Sequence, residues 1–297
     1  MSWKDNIIKT GNLTTDEHGI LRCVIAQSDA YEFHKKHTKG AHLRKLKNVK
    51  YHQIQWETPY YEKILDEYLN NINLHDKLIL DFGCGDGRFT EYLLSKGANK
   101  IICVDFDYNT LESLAIFAKE NSCYDKLLII HSDFNSLPEF TAKFDLILSI
   151  GVLYYLNENY EKAVSYFFEQ LKPNSYFITS DPDMESFLFR TLIFDGLHEA
   201  IELFNQRRFK ETKDTTAYKF RVFSENEWLN IFNSAGFEII NQKGISFFHN
   251  IVRVLLLRGI IKEDELDNNI QTLWKIFDYL HDNGTLHKHK IWLLKKT

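Results

Sequence analysis

Between residues 78 and 180 the chain repeats one unit, a short apolar run ending near an aspartate or serine and, after most runs, a stretch with helical spacing. The runs are Leu78-Ile79-Leu80, Ile101-Ile102-Cys103-Val104, Leu127-Leu128-Ile129-Ile130, and residues 144–150 and 175–180. Phe89, Leu93 and Leu94 follow the first run with Gly97 as a C-cap, and Leu111, Leu114, Ala115 and Ala118 follow the second. A further helix is expected over about 157–171. Strands this apolar are buried on both faces, so the pattern predicts an α/β fold with a doubly wound, mainly parallel sheet. Right-handed crossovers bring every strand's C-terminal end to one edge. Asp81, Asp105, Asp133 and Ser149 all fall on that edge, where open α/β sheets bind their ligands.

The last third is less regular. Ser224-Glu225-Asn226-Glu227 has the form of a capping box opening a helix to about Ala235, which Gly236 stops. Residues 237–245 and 288–296 read as strands. Two stretches, about 183–222 and 250–283, are too long for simple connections and are expected to form a helical cap over the sheet edge. The first carries Phe187, Leu188, Leu192, Ile193, Leu197, Ile201, Leu203 and Phe204, an apolar stripe suited to packing. Residues 1–57 are expected to be an N-terminal extension belonging to the cap, and 58–297 the main domain.

The first run ends in Asp81-x-Gly83-x-Gly85-x-Gly87. Glycines permit positive φ and close approach to a ligand, and a helix starting near Arg88 aims free N–H groups at the same place. A dinucleotide turn needs G-x-G-x-x-G, and its third glycine would fall on Arg88. Asp81 is out of place beside a pyrophosphate but suits a cation. The spacing favours a different ligand.

Residues 78–87, Leu-Ile-Leu-Asp-Phe-Gly-Cys-Gly-Asp-Gly, resemble motif I of the class I S-adenosylmethionine-dependent methyltransferases. The likeness continues at Val104-Asp105-Phe106, at His131-Ser132-Asp133-Phe134 and at Phe144-Asp145-Leu146-Ile147-Leu148-Ser149. It is strong over about 75–182 and weaker through 223–245. The resemblance implies a seven-stranded sheet and S-adenosylmethionine as cofactor. It places the backbone of Gly83 and Gly85 at the methionyl part, with Asp81 near its ammonium. Asp105 would accept both ribose hydroxyls, and Phe106 would pack on the adenine. Asp133 would take the adenine amino group, and the Phe134 N–H a ring nitrogen. Ile150 and Gly151 would line the methyl channel, and Tyr60, in Pro59-Tyr60-Tyr61, would close over the cofactor. Carboxylates beside a sulfonium complement its charge. Asp145 is expected to anchor its strand.

Several branches of the family fit poorly. Base-amino methyltransferases carry Asn/Asp-Pro-Pro-aromatic where this chain has Ser149-Ile150-Gly151-Val152, and no cysteine follows a proline as in the cytosine-C5 enzymes. Asp181 and Asp183 echo the metal-dependent type only faintly, so no metal is expected. The reading left is metal-independent transfer to oxygen or nitrogen of a small-molecule acceptor. Candidate bases are Tyr155 after the fourth strand, His198 in the first long stretch and His249 at the mouth of the second; histidine titrates near neutrality. The single His-x-His, His287-Lys288-His289, stands in a lysine-rich stretch and reads as surface.

A net charge of −5 disfavours polyanion binding, although His34-Lys35-Lys36-His37, Arg44, Lys45 and Lys47 are locally basic. An RNA methyltransferase using that segment is one alternative, and a cofactor-binding protein without turnover is another; the leading reading has no nucleic-acid partner. Residues 251–261 are too short and too interrupted, by Arg253 and Arg258, to cross a bilayer. The four cysteines show no CxxC spacing, and the start has no apolar leader. A reduced, cytoplasmic setting without membrane attachment is expected.

Overall fold

The computed structural model describes residues 3–5, 7–9, 13–23, 51–182, 184–210, 219–284 and 286–297. Two short strands, β1 (Thr14–Thr15) and β2 (Leu21–Arg22), precede helix α1 (Gln53–Leu69). The alternating part follows: β3 (Ile79–Phe82), α2 (Arg88–Ser95), β4 (Ile101–Asp105), α3 (Tyr108–Glu120), β5 (Leu127–His131), β6 (Phe144–Ile150), α4 (Tyr160–Gln170) and β7 (Leu171–Asp181). Next come α5 (Met184–Phe194), α6 (Leu197–Gln206) and the antiparallel pair β8 (Arg208–Lys210) and β9 (Lys219–Arg221). The chain ends with α7 (Glu225–Ser234), β10 (Phe237–Ser246), α8 (Phe248–Leu257), α9 (Glu263–Asn283) and β11 (His287–Lys296).

One sheet runs in the order β1-β2-β5-β4-β3-β6-β7-β11-β10. From β2 through β7 all neighbours are parallel, whereas β11 is antiparallel to both β7 and β10. Side chains alternate between the two faces, as strand geometry requires. Ile79, Ile101, Ile129, Leu146 and Ile178 pack with α1, α2, α3, α8 and α9. Leu80, Ile102, Ile130, Ile147 and Phe177 pack with α4 and α7 on the other side. The doubly wound α/β architecture stands.

The sheet has nine strands, not seven. Leu21 pairs with Ile130 and Arg22 with His131, so β2 covers what would otherwise be the open edge of β5. Asp16 folds the β1–β2 turn by accepting the Ile20 N–H at 2.9 Å, and it also takes the Tyr108 hydroxyl of α3 at 2.8 Å. Strands of two residues carry no periodicity to detect. This part of the extension therefore flanks the sheet, and the expected boundary at residue 57 falls inside α1. The basic segment from His34 to Lys47 lies outside the described residues.

The expected cap stretches hold α5 and α6, then α8 and α9. Met184, Phe187, Leu203 and Val222 form a small cluster with Tyr154 and Tyr155. Leu188 packs against this cluster, whereas Leu192, Leu197, Ile201 and Phe204 of the stripe are exposed. Among the described residues no helix is long and apolar enough to cross a membrane. Ser224 and Glu227 form the expected capping box, with the Ser224 N–H donating to Glu227 at 2.7 Å. Asp145 anchors the start of β6, accepting the Leu78 N–H at 3.0 Å and pairing with Lys172 at 2.7 Å.

Trp292 of β11 is fully buried, with ring centroids 5.3 Å from Phe232 and 6.0 Å from Trp228. Trp292→Ala should cost about 3–5 kcal/mol. Leu257→Ala, at a position 71% exposed, should stay within about 0.5 kcal/mol. Urea unfolding midpoints distinguish the two, and equal shifts would contradict this core.

Candidate functional site

The site starts where β3 delivers Asp81 to the sheet edge and the chain turns through glycines. Gly83 has φ +75°, and a Cβ there would lie 2.2 Å from a methyl of Val152, so no larger residue fits beneath the loop after β6. The Gly83 N–H donates to the carbonyl of Val104 at 2.8 Å, pinning the turn to the end of β4. Gly85, at φ +55°, donates its N–H to Asp105 Oδ2 at 2.8 Å. The Asp107 N–H donates to Asp105 Oδ1 at 2.8 Å, and Asp107 in turn caps α3. The glycine turn and the β4 carboxylate are thus one unit.

Asp81 and Asp105 are both buried. Burial pushes Asp81 up to about 7, opposed by the Thr90 hydroxyl that donates to it at 2.6 Å and reinforced by the nearby Asp105 charge. Burial likewise pushes Asp105 up to about 6, against the N–H groups of Asp107 and Gly85. Neither carboxyl pairs with a cation among the described residues. Buried acids without a counter-charge, beside a glycine cradle, fit a cationic ligand.

The other landmarks sit on neighbouring strand ends. Asp133 caps a 3₁₀ turn by accepting the Ser136 N–H at 2.8 Å. The ring of Phe134 lies edge-on to Phe82 and Tyr166, at 6.4 and 5.9 Å. Phe106 follows β4, and its carbonyl accepts from His131 Nε2 at 3.0 Å. Ile150 ends β6, and the next N–H, that of Gly151, donates to the Ser180 carbonyl of β7.

Tyr60 is elsewhere. It is buried between α1 and α9, donating its hydroxyl to Asp278 at 2.9 Å, with its ring 4.5 Å from His281. The adjacent Tyr61 is the aromatic that meets α2: its ring lies 5.4 Å from Phe89 and beneath the Arg88 guanidinium. The Tyr61 hydroxyl is 2.9 Å from His289 Nδ1 and 3.1 Å from Ser180 Oγ. Successive helix residues differ by about 100° in direction, and the sequence alone does not say which tyrosine of the pair turns this way.

The three base candidates are not brought together. The His198 side chain is 81% exposed on α6, with Glu202 at 3.9 Å. His249 is buried in α8, its Nε2 3.1 Å from Glu57 Oε1, and burial lowers its pKa while Glu57 opposes the shift. Lys288 also pairs with Glu57. Burial would raise the Glu57 carboxyl, but Lys288 and His249 outweigh it and hold the group well below the usual range. Tyr155 lies in the 3₁₀ segment Leu153–Asn159 just after β6, 4.1 Å from Tyr154 and packed against the α5–α6 cap.

Sequence reasoning missed Tyr61, Arg88 and the His-x-His stretch, which is half-buried and not an open surface. Lys288 is 16% exposed in its pair with Glu57, and His289 bonds Tyr61. Asp181 at the end of β7 is fully buried, accepts the Tyr154 N–H at 3.2 Å, and is pushed well above the ordinary carboxylate range by burial. Asp183 lies outside the described residues. Among the described residues no group of three or more His, Cys, Asp or Glu is placed to hold a metal ion.

A family model described as a methyltransferase domain matches residues 52–242. The chain belongs to this family, within the class I S-adenosylmethionine-dependent methyltransferases. The ribosomal protein L11 methyltransferase of Colwellia psychrerythraea is 37% identical over 76 residues, 25% of this chain and 25% of that protein. That of Shewanella sp. strain W3-18-1 is 33% identical over 63 residues, 21% and 22% of the two lengths. The chain thus matches about a quarter of the length of these curated relatives. Magnesium protoporphyrin IX methyltransferase from Synechocystis PCC 6803 shares the fold with a TM-score of 0.59 at 14% identity, over 91% of this chain and all of that one. The [4+2]-cyclase SpnF also shares it, with a TM-score of 0.52 at 15% identity over 79% and 81%.

The raised Asp81 pKa has a consequence for stability. Between pH 4 and about 7 folded Asp81 holds a proton that the unfolded chain releases, so this group's contribution falls as pH rises. The melting temperature of Asp81→Asn relative to the unmodified protein should therefore climb from pH 4 to 7.5. Parallel profiles would show that Asp81 has an ordinary pKa.

Proposed function

We propose that the protein is a metal-independent S-adenosylmethionine-dependent methyltransferase acting on an oxygen or nitrogen of a small-molecule acceptor in the cytoplasm. The observation that carries the cofactor half is the Gly85 N–H bond to Asp105, which joins the motif I turn to the carboxylate of the next strand. Asp105 Oδ2 accepts the Gly85 N–H and Oδ1 the Asp107 N–H, and a carboxylate's roughly four acceptor positions leave capacity for a ribose hydroxyl. Gly83 and Gly85 offer their backbone to the methionyl part, and Asp81 provides a negative charge for its ammonium. Asp133 and the Phe134 N–H take the adenine edge, Phe106 its face, and Ile150 flanks the path to the acceptor. When bound, the cofactor supplies a methyl group already activated on a sulfonium.

The remaining tasks are alignment, exclusion of water and removal of an acceptor proton. Tyr155 is our candidate for the residue that meets the acceptor, since it borders both the end of β6 and the cap. His198 faces solvent, and His249 is committed to Glu57. A small acceptor is supported by the packing of α5 and α6 on Tyr154 and Tyr155, which covers the edge beside β6. The L11 methyltransferases are named for a protein acceptor, and that class is the main competitor.

Titration calorimetry with S-adenosylhomocysteine should show binding that Asp105→Ala weakens by roughly 10- to 100-fold, the worth of charge-assisted hydrogen bonds. Unchanged affinity would remove the ribose assignment. Incubating the protein with labelled S-adenosylmethionine and native extract should place label in a low-mass product identifiable by mass spectrometry. Label confined to protein or RNA would replace the small-molecule reading.

A further inference from the structure

A helix that packs on its own domain needs one apolar face, and polar residues cover the rest. On α6 that face is made by Ala200 and Leu203, both buried, with Leu203 in the cluster around Tyr154 and Tyr155. His198, Glu199, Glu202, Asn205 and Gln206 fill the exposed polar arc. A third stripe lies between the two. Leu197, Ile201 and Phe204 stand at i, i+4 and i+7, so they share one direction, and they are 66%, 50% and 59% exposed. The domain's own packing does not use this stripe.

The apolar surface continues onto the neighbouring elements. Leu192 and Ile193, exposed in the last turn of α5, precede Leu197 across the turn at Gly196. Arg258, at the end of α8, donates from Nη2 to the Phe194 carbonyl at 3.3 Å, and its guanidinium lies 5.7 Å from the Phe194 ring centre. That contact ties the end of α8, with exposed Leu257 and Ile260, to the end of α5. Among the described residues eleven large hydrophobic side chains are exposed, and seven of them stand on these three helix ends and stripes. A concentration of this kind marks an interaction surface, whereas single exposed side chains do not.

We propose that this surface pairs two copies of the chain about a two-fold axis. The seven side chains leave on the order of 600 Å² of apolar surface per copy, so pairing removes roughly 1,200 Å² before any polar rim is counted, which reaches the size of a stable interface. Six of the seven are aliphatic, and homodimer interfaces are more apolar than those between proteins that also exist apart. The charges around the patch are of both signs, Glu199, Glu202 and Glu263 with Arg258 and Lys262, a rim suited to protein, whereas an anionic lipid surface calls for clustered basic residues. In a two-fold pair the same patch serves both copies. The α6 stripe supplies the centre and Leu257 the margin, where truncation costs little. The other sides of α5 and α6 pack on Tyr154 and Tyr155, so the cap is held between those tyrosines and the second copy.

Sedimentation velocity on the full chain, from roughly 1 to 100 µM, is expected to show a species of twice the chain's mass. Ile201→Glu and Leu197→Lys, which introduce opposite charges, should each weaken pairing by roughly 100-fold or more, because the new charge would be buried without a partner. Ile116→Glu, the same kind of change at an exposed position of α3, should leave the pair intact. All three positions face solvent in the single chain, so unchanged far-UV circular dichroism is expected and separates lost pairing from lost folding. An unmodified protein that stays monomeric throughout overturns the proposal, and flotation of that monomer with phosphatidylcholine vesicles would assign the patch to lipid instead. A pair that survives both α6 variants, or that Ile116→Glu breaks as readily, overturns it too.

Discussion

The hydrogen bond from Gly85 to Asp105 is the contact around which the rest of this edge is arranged. It brings the end of β4 against a turn that begins at the end of β3, where Gly85 takes the positive φ that glycine readily adopts. The in-register pairing of Asp81 with Cys103 and of Phe82 with Val104 sets the two strand ends level. Val152, from the loop after β6, then closes on Gly83 so tightly that a methyl group there would collide. Three strand ends are thereby held in one relation, and two buried carboxyls that act on one another have no cation paired with them among the described residues. Such an arrangement is costly in the free protein and is relieved by a positively charged ligand.

The parts that the sequence made legible share a physical cause. Each strand from β3 to β7 is apolar on both faces over much of its length, so burial itself writes the pattern, and the acidic residues at the strand ends follow from topology. The motif I turn is local in sequence, which is why its ligand class could be read from residues 81–87. By contrast, β1 and β2 are two residues each and depend on pairing with β5. Tyr60 and Tyr61 differ only in which way one helix faces. The His-x-His stretch looked like surface because lysine usually is, yet Glu57, more than two hundred residues upstream, buries Lys288 by pairing with it. No local signal announces a partner at that distance.

The same distinction divides the two halves of the site. The cofactor side is built from consecutive landmarks inside the matched residues 52–242. His249, Lys288 and His289 lie beyond that match, in α8 and in β11, the strand that inserts between β7 and β10. The motif residues of such a domain stay legible while the buried partners of Glu57 come from a strand and a helix with no motif. The fold shared with both a methyltransferase and a [4+2]-cyclase makes the same point, since one scaffold carries different chemistry.

The Glu57 cluster shows what this arrangement demands. A buried ion pair is a poor source of net stability, because desolvation offsets much of the attraction, but losing one partner leaves a charge stranded in the core. Glu57 comes from α1, His249 from α8 and Lys288 from β11, so the cluster is satisfied only when all three elements are docked together. The next residue after Lys288 is His289, which through Tyr61 and Ser180 connects α1 to the end of β7. The cluster thus specifies the seating of α1 and β11 against the sheet edge, and that seating places Tyr61 beneath Arg88. Its contribution is positional: it ties α1, α8 and β11 to one another.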